Sequence, residues 1–184
     1  MREIADAADL SPANLYHYFR GKDEILFYCQ DRTLDRLLAS AAAARRTSRE
    51  AGGRLAFVLS AHIRTVLDDV EGATAHLEVG ALSPLLRDRI VRKRDRYERA
   101  VRRLVADGIA SGEFIHVDPA IVTRAMLGAL NWTVTWFRPE GATTTAEVGA
   151  AIAAFLVRGV SARPRPMRQP LRVVRPRTEE QEST

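Results

Sequence analysis

A short polar and aromatic segment near the amino terminus carries the side chains best suited to contact nucleic acid. Residues 12–19 predict one short helix, whose outward positions combine a small residue, an amide, a phenol and an imidazole. An amide can read a base edge in the major groove, while a phenol or imidazole can reach phosphate or base. The candidate DNA-contacting residues are Ser11, Ala13, Asn14, Tyr16, His17 and Lys22.

Two short helices joined by a tight turn must position these side chains. Residues 1–8 and 12–19 have helical spacing, and Ser11-Pro12 is a helix start, because the serine oxygen accepts an orphan backbone N–H and proline has none to satisfy. Leu15 and Phe19 lie one turn apart on the inner face. This is a helix-turn-helix pattern, whose second helix can enter the major groove. A plain helical hairpin with core aromatic residues is the alternative.

The string between Glu3 and Leu26 closely resembles the TetR family of bacterial transcriptional regulators. The matching residues are Glu3-Ile4-Ala5, Leu10-Ser11-Pro12-Ala13-Asn14-Leu15-Tyr16-His17-Tyr18-Phe19 and Lys22-Asp23-Glu24-Ile25-Leu26. The sequence departs from the family pattern in having Ala13 where glycine is common and Tyr18 where histidine is common. A weaker resemblance, over residues 80–141, is to a TetR branch tied to steroid and fatty-acid catabolism.

The resemblance implies three parts and a mode of action. Residues 1–21 would be the DNA-binding module, residues 22–160 a helical domain for effector binding and dimerisation, and residues 161–184 a disordered basic tail rich in proline and arginine. The chain would be a cytoplasmic homodimer on a palindromic operator of double-stranded DNA. It would act as a repressor that a small apolar or acyl-coenzyme A-type effector releases.

One departure from the family concerns the start of the chain. TetR-like DNA-binding modules have three helices, and here Met1 stands where the second begins. The inner faces of Ile4, Leu15 and Phe19 would then lose a packing partner. Either the start codon lies upstream or the gene is a truncated paralogue. The alternative function is therefore a small-molecule-binding helical dimer that has lost DNA binding.

Helical periodicity runs through nearly all of the chain, so the expected fold class is all-α. Helices are predicted at residues 1–8, 12–19, 22–46, 53–70, 73–82, 84–111, 119–137 and 144–160. Ser83-Pro84 and Asp118-Pro119 repeat the start signal of Ser11-Pro12. We expect the tail to be disordered, because it has no apolar period and holds four of the eight prolines.

Composition excludes several classes of protein. The single cysteine, Cys29, rules out an intramolecular disulfide framework and a cysteine zinc site. No apolar run reaches the roughly 18 residues that a membrane span needs. There is no glycine-rich phosphate loop, no zinc-binding His-Glu-x-x-His and no serine elbow, so we expect neither an enzyme, a cofactor nor a metal site.

Two apolar stripes near the carboxyl end predict the dimer contact. They mix large and small residues, which suits close helix packing, although both could equally form the core of one protomer. The candidate dimerisation residues are Ile121, Met126, Leu130, Val148, Ile152 and Phe155.

The effector site is predicted from aromatic, histidine and arginine side chains that could wrap an apolar ligand and fix a polar end. The candidates are Phe57, His62, His76, Arg92, Arg96, Trp132, Trp136 and Arg138. The net charge of +5 is not placed at the amino end, because residues 85–103 hold nine basic and three acidic residues. These residues, including Arg89 and Lys93, either form a solvated face or bind the phosphates of an anionic effector.

Overall fold

Seven α-helices are present in the residues that the structure, a computed structural model, describes, namely 1–7, 9, 11–68 and 78–162. They are α1 (Arg2–Ala7), α2 (Pro12–Tyr18), α3 (Lys22–Ala43), α4 (Ala51–Leu67), α5 (Pro84–Ala110), α6 (Pro119–Trp136) and α7 (Thr145–Val160). Extended backbone pairing within these ranges is limited to one bridge, between Phe114 and Ser161. The predicted all-α class is confirmed.

Helix starts follow the predicted caps at two of three sites. The Ser11 hydroxyl accepts the Asn14 amide at 3.1 Å, and the Asp118 carboxylate accepts the Ala120 amide at 2.7 Å. Ser83 makes no such side-chain bond to α5, so the predicted cap is wrong there. The start of α7 is closed by a reciprocal pair between Thr144 and Glu147, which satisfies two orphan amides at once.

The helices differ from the prediction in two places. The helix predicted to reach residue 46 is α-helical only to Ala43 and tightens into a 3-10 turn over Ala44–Arg46. The prediction of a helix at 73–82 is wrong for the part that the structure describes, because Val79–Ala81 forms a 3-10 turn. The rest of that prediction, and the predicted tail beyond residue 162, lie outside the described residues.

The start of α4 is fixed by a residue distant in sequence. The Glu113 carboxylate accepts the amides of Ala51 and Gly52 at 3.0 and 3.2 Å. The bond from Ala51 leads the interactions that hold the pKa of Glu113 below its ordinary value, as expected where hydrogen bonds favour the charged form. Because this anion replaces a local cap, α4 begins two residues before the predicted position 53.

The core lies around α4, which packs most extensively on α7 and also contacts α3, α5 and α6. The second large helix pair is α3 on α5. The largest fully buried side chains are mostly aliphatic and include Leu34, Leu37, Leu55, Leu59, Ile63, Ile90 and Leu130. Within the described ranges, no helix is both long and apolar enough to cross a bilayer.

The first two helices form a small unit of their own, which we call the head. Leu15 is 4% exposed and Ile4 and Phe19 are half-buried, so the expectation that all three inner faces lose their partner is wrong for Leu15. The turn between the helices includes Asp9 at φ 53°, a left-handed conformation that aspartate tolerates. The Phe19 ring meets Tyr28 of α3 edge-on at 5.7 Å.

A close approach at Gly108 closes the carboxyl end of α5. The Phe114 ring lies directly where a Cβ on Gly108 would stand, and the Phe114 amide returns to the Gly108 carbonyl at 3.0 Å. Phe114 is 4% exposed. A side chain at position 108 would therefore displace a buried ring and the bridge to Ser161.

Gly108→Ala should lower the free energy of unfolding by about 1–3 kcal/mol, the usual cost of overpacking a dense core. Thermal unfolding followed by circular dichroism measures it. Gly159→Ala is the matched control, because it is also a helical glycine but nothing lies within 4 Å of its added Cβ. Equal stability of the two variants would contradict the proposed role of the Phe114 contact.

Candidate functional site

The outward face of α2 brings together four of the predicted DNA-contacting residues. Ala13, Asn14, Tyr16 and His17 are all exposed, and Tyr16 is 55% exposed. Leu15 turns inward and fixes the helix to α1. The face therefore presents an amide, a phenol and an imidazole on adjacent turns, with a small residue that allows close approach of another backbone.

Ser11 and Lys22 lie at the edges of this face. The Ser11 oxygen is engaged as the cap of α2, and its exposed hydroxyl can still donate outward. Lys22 opens α3 and is exposed, beside Asp23 and Glu24 in the same turn. Glu24 accepts the backbone amide of Arg20 at 2.8 Å. The two carboxylates lie in the same first turn as Lys22, and their negative charge reduces the positive potential at this helix start.

The helix that follows the head, α3, is held to α5 by a charged and an aromatic contact. Lys93 reaches Asp31 at 2.6 Å and Asp35 at 2.8 Å. Burial works to lower the pKa of Lys93, but the hydrogen bonds that its ammonium donates to the two carboxylates, together with their negative charge, outweigh burial and raise the pKa. Arg89 stacks over the Phe27 ring at 4.5 Å. Lys93, predicted as an anion-binding candidate, is thus committed to two carboxylates of its own chain.

His62, a predicted effector residue, lies in a buried polar trio. Its Nδ1 is 3.1 Å from the Tyr97 hydroxyl and its Nε2 is 3.1 Å from Asn131 Oδ1. An amide oxygen only accepts, so Nε2–H donates to Asn131 and Nδ1 accepts from Tyr97. Burial raises the pKa of the Tyr97 phenol. The trio joins α4, α5 and α6, and both ring nitrogens of His62 are occupied.

The other predicted effector residues are not gathered around His62. His62 is 2% exposed, whereas Trp132 is 66% and Trp136 48% exposed on the outer face of α6. Arg138 is exposed and donates to backbone oxygens at the end of the same helix. Phe57 is half-buried against the core, Arg92 and Arg96 are exposed on α5, and His76 lies outside the described residues.

The predicted dimerisation residues divide into a surface set and a core set. Ile121 and Phe155 are 66% and 67% exposed. The remaining four belong to the protomer: Ile152 is half-buried, and Met126, Leu130 and Val148 are 2%, 0% and 7% exposed. These last three residues lie in the core of the protomer, and the dimerisation role of α6 and α7 stays a prediction.

The two tryptophans, which the sequence analysis assigned to effector binding, are exposed on α6, as is the dimerisation candidate Ile121. Ile121, Trp132 and Trp136 share one face of α6 by helical spacing, and Phe155 is exposed on α7. We call Ile121, Trp132, Trp136 and Phe155 the apolar face. Exposed aromatic side chains that share one helix face, as Trp132 and Trp136 do with Ile121, are typical of an interaction site.

Two protein-family models match this chain, one at each end of the part that the structure describes. Residues 1–29 match the model described as bacterial regulatory proteins, tetR family, and residues 48–160 match the model described as tetracyclin repressor-like, C-terminal domain. A comparison with curated protein sequences found no match.

Solved structures give a consistent picture. PfmR, a TetR family transcriptional regulator from Thermus thermophilus, is 33% identical, with 85% of this chain and 86% of that chain covered and a TM-score of 0.77. The ketosteroid transcriptional regulator KstR2 of Mycobacterium tuberculosis is 24% identical, covering 88% and 84%, with a TM-score of 0.77. AibR, solved with isovaleryl coenzyme A and operator DNA, is 22% identical, covering 85% and 85%, with a TM-score of 0.67. The last two show likeness of fold alone.

Proposed function

The chain belongs to the TetR family of bacterial transcriptional regulators, and on that premise we propose that it is a ligand-responsive repressor that reads operator DNA with α2. Members of this family are regulators and not enzymes, as the sequence predicted. The observation that carries the proposal is the exposed face of α2, where Asn14, Tyr16 and His17 are held outward by a capped helix anchored through Leu15.

DNA recognition in this proposal divides between base and backbone contacts. Asn14 is the base-reading residue, because an amide can pair bidentately with adenine in the major groove. Tyr16, His17, Ser11 and Lys22 hold phosphates and set the orientation of the helix. Ala13 lets the start of α2 approach the duplex. The neighbouring carboxylates at α3 make Lys22 a modest contributor.

Two copies of the chain would pair through the apolar face. Desolvating Trp132, Trp136, Ile121 and Phe155 supplies the aromatic and aliphatic anchors typical of a protein interface. A two-fold dimer places two α2 helices about 34–36 Å apart, one turn of DNA, so the operator would be palindromic. As a chromosomal DNA-binding protein it would act in the cytoplasm.

The effector would be an apolar or acyl-coenzyme A-type molecule that binds the helical body and favours a form with low DNA affinity. Support comes from AibR, which was solved with isovaleryl coenzyme A, and from the contacts of α3, since Lys93 and Arg89 on α5 hold the helix that follows the head. An effector acts only as far as its affinity differs between the two forms.

A mobility-shift titration tests the proposal. The full chain is titrated with DNA from upstream of its own gene and with a random duplex of equal length, at about 0.15 M salt. We expect binding to the upstream DNA to be at least about a thousandfold tighter, and isovaleryl coenzyme A, unlike free coenzyme A, to weaken it. Equal affinity for the two duplexes would favour the alternative, a helical small-molecule-binding dimer without DNA recognition.

A further inference from the structure

An open groove lies between α3 and α5. Its volume is about 470 Å³, which is within the size range of pockets for small ligands. The groove residues come from the carboxyl half of α3, the turn after it and the carboxyl half of α5: Leu38, Ala41, Ala42, Arg45, Arg96, Arg99, Ala100, Arg103, Leu104 and Asp107. Of the predicted effector residues that the structure describes, only Arg96 lines it.

The walls of the groove carry unbalanced positive charge. Four arginines meet one carboxylate, and that carboxylate, Asp107, lies 3.6 Å from Arg45. Arg96, Arg99 and Arg103 have no carboxylate within ion-pair distance among the described residues, although Glu98 and Arg102 pair elsewhere on the same helix. Three arginines at spacings of three and four residues repel one another. A bound anion would remove that cost.

The groove also has an apolar lining. This apolar lining, which we call the floor, consists of Leu38, Ala41, Ala42, Ala100 and Leu104, and the three alanines leave room where larger side chains would fill the space. Because Arg96 and Asp107 are eleven residues apart on one helix, the groove is about 16 Å long. It can therefore hold both a charged group and an apolar one.

We propose that this groove binds a diphosphate ester, a small molecule in which two linked phosphates carry an apolar or aromatic group. Guanidinium groups pair bidentately with phosphate oxygens, and Arg99 and Arg103 flank the floor on which the apolar group would lie. Binding itself does not depend on the proposed function. An effect on operator affinity would depend on it, because the ligand would bridge α5 to the helix that follows the head.

Double-stranded DNA is a poorer occupant than a small ester. Leu38 lies about 24 Å along α3 from Lys22, where the head ends, so the groove is remote from the DNA-reading face. The alanine and leucine floor also offers no partner to a sugar-phosphate backbone. A small diphosphate ester can pair its phosphates with the arginines and lay its apolar group against the alanine and leucine side chains.

Calorimetric titration of the full chain tests the site with three probes: adenosine diphosphate, geranyl diphosphate and inorganic pyrophosphate. We expect at least one ester to bind with a micromolar dissociation constant at about 0.15 M salt, at least about tenfold tighter than pyrophosphate. Preference for adenosine diphosphate indicates a nucleoside source of the ligand, and preference for geranyl diphosphate indicates an isoprenoid source.

Variants separate the charged walls from the apolar floor. Arg99→Gln with Arg103→Gln should weaken ester binding at least about tenfold, while Arg64→Gln with Arg124→Gln, which removes two exposed arginines elsewhere, should not. Ala42→Phe should block the esters and spare pyrophosphate. Three results would overturn the proposal: no saturable binding, equal losses in both arginine pairs, or displacement of the ester by random duplex DNA.

Discussion

Replacing Asn14 and Tyr16 by alanine should strongly weaken sequence-specific DNA binding and leave folding intact. Each residue is exposed on α2, and a lost base or backbone contact costs about 1–3 kcal/mol. The double variant should therefore lose at least about a hundredfold in operator affinity, while the free energy of unfolding stays within about 0.5 kcal/mol of the parent value. Fluorescence anisotropy and thermal unfolding measure the two quantities.

Two further variants serve as controls for this experiment. Lys22→Gln should weaken binding to operator and random DNA alike, because Lys22 is proposed to contact only phosphate. It should also reduce the slope of log affinity against log salt concentration by about one. Ile115→Ala, at a 43% exposed side chain far along the chain, should change neither affinity nor slope. If the Asn14 and Tyr16 variant binds operator as the parent does, α2 is not the reading helix.

Placing glutamate at Trp132 and Phe155 should convert a dimer into monomers. These side chains are 66% and 67% exposed in the protomer, and aromatic anchors at interfaces typically contribute at least about 2 kcal/mol each. Burying two carboxylates at the contact adds a further penalty. The dimer dissociation constant should rise more than about a hundredfold, as measured by sedimentation velocity, and operator affinity should fall with it.

Leu85→Glu is the matched control for the apolar face. Leu85 is 73% exposed, and it lies in the first turn of α5, on a different helix from the residues of the apolar face. This variant should sediment as the parent does and bind operator equally well. A parent protein that is monomeric at micromolar concentration, or a Trp132 and Phe155 variant that still dimerises, would contradict the proposed interface.

Local signals predicted the helices well because their causes are local. The oxygens of Ser11 and Asp118 cap the helices that their proline neighbours open, and the motif between Glu3 and Leu26 led to a family that the comparisons bear out. The division into parts at residues 21 and 160 stays a prediction.

Features that depend on distant residues could not be predicted in this way. The start of α4 depends on Glu113, 62 positions away, and His62 is satisfied by Tyr97 and Asn131, from two other helices. The direction in which Trp132 points depends on how α6 packs against the other helices. The sequence alone therefore could not distinguish a tryptophan that lines a ligand pocket from one that lies on the surface. The groove arginines Arg99 and Arg103 were missed for the same reason, although helical spacing alone puts them on one face.

α3 is uninterrupted, so a rigid tilt about one fixed point would move its two ends in opposite directions. Its 22 residues span about 33 Å, and Lys93 grips it near the middle, at Asp31 and Asp35. Lys22 lies about 16 Å to one side of that pivot, and the arginine groove lies on the other. A tilt of about 10° would carry Lys22 about 3 Å in the direction opposite to the groove end. Under such a tilt, a displacement at the groove end of α3 would appear at Lys22 in the opposite direction and slightly enlarged.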